Sequence, residues 1–236
     1  MRNNGKHPLI IPKNVWALGI VSLLMDLSSE MILSILPIFL VTGLGVSVLT
    51  LGLIEGFAEG AASVIKAFSG MLSDYLKKRK ILIVIGYGLS TLTKPFFALA
   101  STATWIFAAR FVDRLGKGIR GAPRDSLIAD STSTKIRGTA YSLRQSLDTL
   151  GALLGPIIAI IILYLTTNNF RLVLWFAVIP AVLCIVVLIF GVKESTLKKN
   201  ISRKKSYFLF ENFLKITPVI WLFFLTVFIL NLGHFS

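Results

Sequence analysis

A row of cationic side chains repeats at helical spacing in the middle of the chain. Arg110, Arg114, Lys117 and Arg124 follow the i, i+3/i+4, i+7 rule together with Gly121. The sequence therefore predicts that these residues, here called the cationic stripe, share one face of a helix. Long apolar segments surround the stripe, and one arginine at mid-bilayer costs about 2.5–3.5 kcal/mol even on an insertion scale. The stripe is thus expected to face protein groups or a water-filled interior.

Acidic residues occur in the same apolar segments, also in helical register. Asp26 and Glu30 are four residues apart, and Glu55 and Glu59 repeat that spacing. Seven acids and eight bases are predicted to lie within membrane spans. The acids are Asp26, Glu30, Glu55, Glu59, Asp113, Asp125 and Asp148, and the bases are Lys66, Lys94, Arg110, Arg114, Lys117, Arg120, Arg124 and Arg144.

These charges have two interpretations. At about 1.5 Å per residue, Asp26, Glu59, Arg114 and Asp148 all fall toward the membrane middle and can meet in one polar core. The first interpretation is that they are structural ion pairs that hold helices in register. The second is that a carboxyl group takes up and releases a proton during transport, because burial favours its neutral form. Asp26 and Glu30 are candidates for that role. The near balance of charge favours neutralisation of the stripe and does not indicate an anionic solute.

The composition is that of a membrane protein. Of 236 residues, 55% are hydrophobic and 15% are charged, whereas soluble domains are nearer a quarter charged. A spanning helix needs about 20 mostly apolar residues. Seven segments satisfy this length, near 15–41, 47–70, 80–101, 103–130, 138–165, 171–192 and 217–236.

The basic residues predict the orientation and explain the net charge of +14. Lysines and arginines concentrate before span 1, between spans 2 and 3, between spans 4 and 5, and in the 193–216 loop, whereas the opposite loops carry only Arg171. The positive-inside rule then places the N-terminus and the 193–216 loop in the cytoplasm. A nucleic-acid partner is not required.

A charged motif follows the second predicted span. Gly70-x-x-x-Asp74 leads directly into Lys77, Lys78, Arg79 and Lys80. This segment resembles the loop signature of the major facilitator superfamily, Gly-x-x-x-Asp-x-x-Gly-Arg-Lys/Arg, with Lys77 in place of the second glycine and Lys78 in place of the first arginine. In the family, a carboxylate at the end of the fourth helix pairs with the loop cation, and the resemblance assigns that role to Asp130, opposite Lys78.

Two further segments carry the resemblance. Arg110 stands where the family has an arginine linked to proton coupling, although Arg114 replaces the usual glycine. Gly151-x-x-x-Gly155-Pro156-x-x-Ala159 resembles a fifth-helix motif seen often in antiporters. The two glycines permit close helix packing, and the proline kinks the helix. The run from Arg110 to Asp125 is similar to a bacterial subgroup of uncertain substrate.

The resemblance implies an all-α polytopic fold that is one half of a twelve-span transporter. The expected organisation is a six-helix transmembrane bundle over 1–192, a cytoplasmic loop over 193–216 and a seventh span over 217–236. The chain then looks like the N-terminal part of a longer protein: a truncated reading frame, a fragment or one piece of a split transporter. A missing C-terminal half is an expected partner, beside a small-molecule substrate and the lipid of the inner (plasma) membrane.

The leading functional hypothesis is secondary transport of a small solute, coupled to protons, with efflux by antiport favoured. The candidate residues for transport and proton coupling are Asp26, Glu30, Glu55, Glu59, Arg110, Arg114 and Asp148. A non-transporting fragment or scaffold is the alternative. A membrane enzyme is less favoured, because the only histidines, His7 and His234, lie at opposite ends of the chain. No Gly-Lys-Ser/Thr phosphate loop is present, and no cofactor, metal or catalytic residue is expected.

Overall fold

The computed structural model describes residues 11–43, 45–76, 78–194 and 226. Apart from a short π-helical turn at Phe39–Gly43, the regular structure there is α-helical. The helices are α1 (Lys13–Ile38), α2 (Val48–Leu76), α3 (Arg79–Leu99), α4 (Ala103–Ser131), α5 (Arg137–Leu165), α6 (Phe170–Phe176) and α7 (Val178–Gly191). This architecture confirms the predicted all-α class.

Six of the predicted spans correspond to helical segments, with α6 and α7 together forming the sixth. Five segments in the described ranges are long and apolar enough to cross a membrane, namely α1 with its π turn, α2, α3, α5 and the pair α6–α7. Helix α4 has sufficient length but carries too many charges to qualify by composition. Its place in the bundle therefore depends on contacts with other helices.

Two central helices, α1 and α4, organise the bundle. Helix α1 packs along α5 and α7, and α4 packs along α3 and α2. Small residues permit the close approach of α3 and α4, because a β-carbon on Gly116 would lie 2.5 Å from the carbonyl oxygen of Gly86. Close approach through small residues is the usual way in which membrane helices gain packing energy. This packing brings the polar faces of α1, α2, α4 and α5 toward one another.

The sixth span is broken at Ala177, which ends α6 and precedes α7. Pro180 has no amide hydrogen and cannot continue the normal hydrogen-bond ladder across the junction. The hydroxyl of Ser28 on α1 donates to the Ala177 carbonyl at 2.6 Å. The buried Ser28 hydroxyl thus gives this backbone carbonyl a hydrogen bond that lipid could not provide.

The predicted seventh span at 217–236 lies outside the described residues except for Thr226. The predicted 193–216 loop also lies outside them after Glu194, as do His7, Lys77 and His234.

Candidate functional site

Helices α2 and α4 are joined by a buried ion pair between Glu55 and Arg110. Arg110 Nε donates to Glu55 Oε1 at 2.6 Å, and Nη2 donates to Oε2 at 2.7 Å. The Arg110 side chain is 2% exposed. A two-pronged contact of this kind fixes position as well as charge, because the planar guanidinium matches the two carboxylate oxygens. Arg110 is therefore held tightly to α2.

The next cations of the stripe meet Glu59, one helical turn further along α2. Arg114 Nη1 lies 2.9 Å from Glu59 Oε2, and its Nη2 lies 3.7 Å from Glu55. Lys117 Nζ approaches Glu59 Oε1 at 3.7 Å. The side chain of Arg114 is 10% exposed, whereas that of Lys117 is 51% exposed. Arg114 is thus enclosed among carboxylates, while Lys117 reaches solvent.

A third acid–base contact extends this network to α3 and α1. Lys94 Nζ donates to Asp113 Oδ1 at 3.1 Å and to Ser29 Oγ at 3.0 Å, and Asp113 Oδ2 lies 3.6 Å from Arg110. Lys94 and Asp113 are among the charges predicted to lie within the membrane but not among the predicted site residues. The available signal was their isolation in apolar surroundings, since each buried charge requires a partner.

A cavity of about 450 Å³ lies between α1, α2, α4 and α5. Its lining brings together Asp26, Glu59 and Asp148, three of the four residues expected to meet at the membrane middle. Arg114 contacts Glu59 but is not part of the lining. The other charged residues that line the cavity are Glu30, Lys66, Lys117, Arg120 and Arg124.

The acids of α1 and α5 form no ion pair with the cationic stripe within the described residues. Asp148 pairs with Arg144, which lies one turn away on the same helix. Asp26 and Glu30 form no ion pair with any residue in the described part of the chain. Arg144 and Asp148 lie one turn apart on α5, so their contact does not depend on how α5 is placed relative to α4. The carboxylates that contact the stripe are therefore Glu55 and Glu59 on α2, with further contacts from Asp113 and Asp125 on α4 itself.

Arg120 and Arg124, one turn apart on α4, rely chiefly on hydroxyl groups. Arg120 Nη1 donates to Ser90 Oγ, and the Arg120 guanidinium lies 4.4 Å from the centre of the Tyr87 ring. Arg124 Nη1 donates to Ser22 Oγ at 2.7 Å and to Tyr87 Oη at 3.3 Å. The Arg124 Nε has Asp125 at 3.5 Å but makes no hydrogen bond. The cavity thus contains two guanidinium groups bound mainly by neutral partners.

The charged motif at the end of α2 uses Arg79 where Lys78 was predicted. Arg79 Nη1 lies 2.7 Å from Asp130 Oδ2 at the end of α4, and Arg79 Nη2 lies 3.4 Å from Asp74. Lys78 precedes the first turn of α3, whereas Arg79 begins it. That one-residue difference turns Arg79 toward α4. Gly70 faces α4 as well, since its β-carbon would lie 3.3 Å from Ala122 Cβ.

The same end of the bundle binds the segment after α7. The Glu194 carboxylate accepts hydrogen bonds from the backbone amides of Arg79, at 3.1 Å, and Lys80, at 2.9 Å. Asn14 also contacts this segment, because its Oδ1 accepts from the Lys193 amide at 2.8 Å. The start of the predicted 193–216 loop is therefore attached to both α1 and α3.

The Gly151–Gly155 motif forms the contact between α5 and α1. A β-carbon on Gly155 would lie 2.7 Å from Glu30 Cβ, and one on Gly151 would lie 2.5 Å from the Leu23 carbonyl oxygen. Pro156 follows inside α5. The glycines therefore allow α5 to lie against the part of α1 that carries Asp26 and Glu30.

Comparison with known proteins identifies the family. The Major Facilitator Superfamily model matches residues 18–236. The chain belongs to the Major Facilitator Superfamily. It is thus a membrane protein of a transporter family rather than of an enzyme family, as the loop and helix motifs predicted.

Several relatives of this superfamily chain are similar over most of its length. An uncharacterised MFS-type transporter of Methanocaldococcus jannaschii is 35% identical over 202 residues, which are 85% of this chain and 50% of that protein. The multidrug resistance protein MdtH of Photorhabdus laumondii is 29% identical over 154 residues, 65% of this chain and 37% of that protein. This chain spans about half the length of the curated relatives it matches.

Solved superfamily structures share the fold. A POT family transporter in complex with 5-aminolevulinic acid superposes with a TM-score of 0.69 at 16% identity, covering 95% of this chain and 48% of that one. The human organic anion transporter MFSD10 superposes with a TM-score of 0.66 at 18% identity, covering 78% of this chain and 48% of that one. At these identities the similarity establishes the architecture alone.

Proposed function

We propose that this chain forms one half of a secondary active transporter, which moves a small solute across the inner (plasma) membrane and couples that movement to protons. The observation that carries the proposal is the cavity between α1, α2, α4 and α5, lined by Asp26 and Glu30. Neither carboxylate forms an ion pair with another described residue, so a proton can exchange there without breaking a salt bridge. A carboxylate bound by arginine favours its charged form.

This distinction assigns different roles to the candidate acids. Glu55 and Glu59 bind Arg110 and Arg114, and we assign them to the structural network. Asp148 is bound by Arg144. Asp26 and Glu30 remain as the proton-carrying candidates, and both lie on the helix that the Gly151–Gly155 motif contacts. A movement of α5 against α1 would then change their access to water.

Two features support efflux by exchange with protons. The fifth-helix motif resembles one that is frequent in antiporters. Three relatives, from Photorhabdus laumondii, Proteus mirabilis and Edwardsiella ictaluri, are named multidrug resistance protein MdtH. We assign the N-terminus and the 193–216 loop to the cytoplasm, because the basic residues concentrate there.

We further propose that a second helical bundle completes the transport path. The relatives are about twice as long as this chain. Large apolar side chains are exposed along α2 and α5, the helices that border the cavity. Examples are Leu49, Leu53 and Phe57 on α2 and Leu153 and Ile160 on α5. A partner bundle seated on these faces would close the cavity.

Proton flux in proteoliposomes tests the proposed function. A version that contains both bundles is reconstituted in vesicles that hold a pH-sensitive dye, and succinate, putrescine or glucose is added outside. We expect at least one solute to drive proton movement, and we expect Asp26→Asn combined with Glu30→Gln to abolish it. Glu211→Gln, in the predicted cytoplasmic loop, is the matched carboxylate control and should retain the flux. Absence of flux with every solute would favour the non-transporting scaffold.

A further inference from the structure

We propose that Arg120 and Arg124 bind the anionic group of the transported solute, and that this group is a carboxylate or a phosphate. This inference rests on the proposed transport function and names the chemical class of its substrate. A solute of this class is compatible with either direction of transport.

The first observation is the contrast between two pairs of arginines on α4. Arg110 and Arg114 are bound by Glu55 and Glu59, at distances down to 2.6 Å. Arg120 is equally buried, at 5% exposure, but no carboxylate of the described residues forms an ion pair with it. A buried cation without a counter-charge is costly unless an anion or water compensates it. Arg110 and Arg114 are compensated within the protein, and Arg120 is not.

The second observation is the set of free hydrogen-bond donors. A guanidinium carries five N–H donors, of which Arg120 uses one, toward Ser90. The Arg124 Nε has no hydrogen-bond acceptor, and Arg124 Nη1 is shared between two hydroxyl groups. Ser90, Tyr87 and Ser22 orient the two guanidinium groups with neutral hydroxyl oxygens, and of the two arginines Arg124 also has a carboxylate contact, from Asp125 at 3.5 Å. Such an arrangement prepares donors for an acceptor that arrives from outside.

The third observation is the position of these groups in the cavity. Both arginines line it, together with Lys66 and Lys117. Lys66 forms no ion pair with the described residues, and Lys117 makes a contact of only 3.7 Å. On α2 and α5, the small residues Ala62 and Ala152 border the same space and leave room for a ligand. Four cationic side chains therefore surround a volume of about 450 Å³.

The chemistry of the arginines selects the ligand. A planar guanidinium fork matches the paired oxygens of a carboxylate or phosphate, and charge-assisted hydrogen bonds of this type are about twice as strong as neutral ones. Asp26 and Glu30 line the same cavity and compete with a ligand for the positive charge. Removing the Asp26 charge should therefore strengthen anion binding.

Binding to the purified full chain in detergent tests the proposal. The probes are radiolabelled succinate and inorganic phosphate, with putrescine, a diamine of the same carbon-chain length as succinate, as the matched cation. We expect saturable millimolar or tighter binding of at least one anion and none of putrescine. Arg120→Lys and Arg124→Lys keep the charge and should each weaken anion binding about tenfold, because they lose the fork geometry. Arg171→Lys, at an exposed position outside the cavity, should leave binding unchanged.

Asp26→Asn keeps the test informative if the arginine variants do not fold, because it should raise anion affinity several-fold. Preference for succinate identifies a carboxylate ligand, and preference for phosphate identifies a phosphate ligand; either result supports the proposal. Binding of neither anion to the parent or to Asp26→Asn overturns it, as does undiminished binding to well-folded Arg120→Lys and Arg124→Lys. Anion binding without proton flux would retain this site and remove the transport proposal. Proton flux driven by putrescine alone would retain the transport proposal and remove the anion site.

Discussion

Arg114 lies 2.9 Å from Glu59, and this contact holds the middle of α4 to α2 at the edge of the cavity, with the Arg114 side chain 10% exposed. One turn further on, Lys117 approaches the same carboxylate at 3.7 Å, with half of its side chain in solvent. The two cations share a partner but differ in burial. Comparing alanine variants of Arg114 and Lys117 therefore measures how burial of the cation affects the stability of the protein.

We expect Arg114→Ala to reduce folded yield and thermal stability much more than Lys117→Ala. Removing one member of a buried pair strands the other, at a cost of about 3–5 kcal/mol. A half-exposed contact contributes about 0–1 kcal/mol. Fluorescence-detected size-exclusion of detergent extracts measures the yield, and adding Glu59→Gln to Arg114→Ala should recover part of it. If Arg114→Ala behaves like the parent, the ion pairs between α2 and α4 do not support the bundle.

We expect Arg79→Ala to destabilise the end of the bundle where α3 begins, because Arg79 joins α3 to Asp130 and Asp74. Lys78→Ala is the matched control, since the neighbouring lysine is exposed. The expected difference is about 1–2 kcal/mol, the range of charged hydrogen bonds that are partly buried. Proteolysis rates of the membrane-inserted protein measure it. Equal rates for the two variants would contradict this role of Arg79.

Asp74 is 62% exposed and Asp130 is 12% exposed, so we expect Asp74 to contribute less to stability than Asp130. We expect Asp74→Asn, in a version that contains both bundles, to slow transport while membrane insertion remains intact. The charge is then needed for one conformation of the transport cycle rather than for folding. Solute-driven proton flux, normalised to inserted protein, is the measurement. Unchanged flux would mean that the motif acts only as a topology signal.

We expect Gly155→Ala to destabilise the protein by about 1–3 kcal/mol, because the new methyl group overlaps α1. Its β-carbon would lie 2.7 Å from Glu30 Cβ. Gly88→Ala is the control, since nothing lies within 4 Å of a β-carbon there. Alanine is the better helix former, so this control should be neutral or slightly stabilising. Thermal unfolding in detergent should therefore move in opposite directions, and a shared direction would contradict the packing role of Gly155.

Cysteine labelling tests the orientation. On a Cys184→Ala background, Lys135→Cys lies in the loop between α4 and α5, and Asn168→Cys lies in the loop between α5 and α6. Both positions are exposed. An impermeant maleimide applied to intact cells should label position 168 and not position 135. The opposite pattern would place the N-terminus outside the cell.

The bundle was predictable because spanning length and apolarity are local properties. Every helix from α1 to α5 was anticipated to within several residues, whereas the break at Ala177 was not. Pro180 is a local signal for that break, whereas the hydrogen bond from Ser28 to the Ala177 carbonyl joins residues that are distant in sequence. The pairing of the stripe with Glu59 was anticipated because both residues were placed near mid-membrane. The Asp148–Arg144 pair was not, although its i, i+4 spacing is a local signal.

The exact ion-pair partners were not predictable from the sequence, because they depend on the angles at which the helices cross and on the rotation of each helix about its axis. Whether Arg79 or Lys78 meets Asp130 depends on a rotation of about 100° per residue about the axis of α3. The Lys94–Asp113 contact depends on where α3 crosses α4, and Gly86 and Gly116 determine that crossing. Arg110 and Arg120 are both buried on α4, but they point in different directions about its axis, so Arg110 meets Glu55 and Arg120 meets Ser90.

The charge content of α4 also constrains how the chain enters the bilayer during synthesis. This helix cannot partition into lipid by its own apolarity, unlike the five segments around it. Glu55 and Glu59 precede it in the chain and are already available when α4 leaves the ribosome. We therefore expect helix α4 to enter the bilayer together with α2 and α3, with Arg110 and Arg114 already paired with Glu55 and Glu59. Glu55 and Glu59 are therefore synthesised before Arg110 and Arg114, the cations with which they pair.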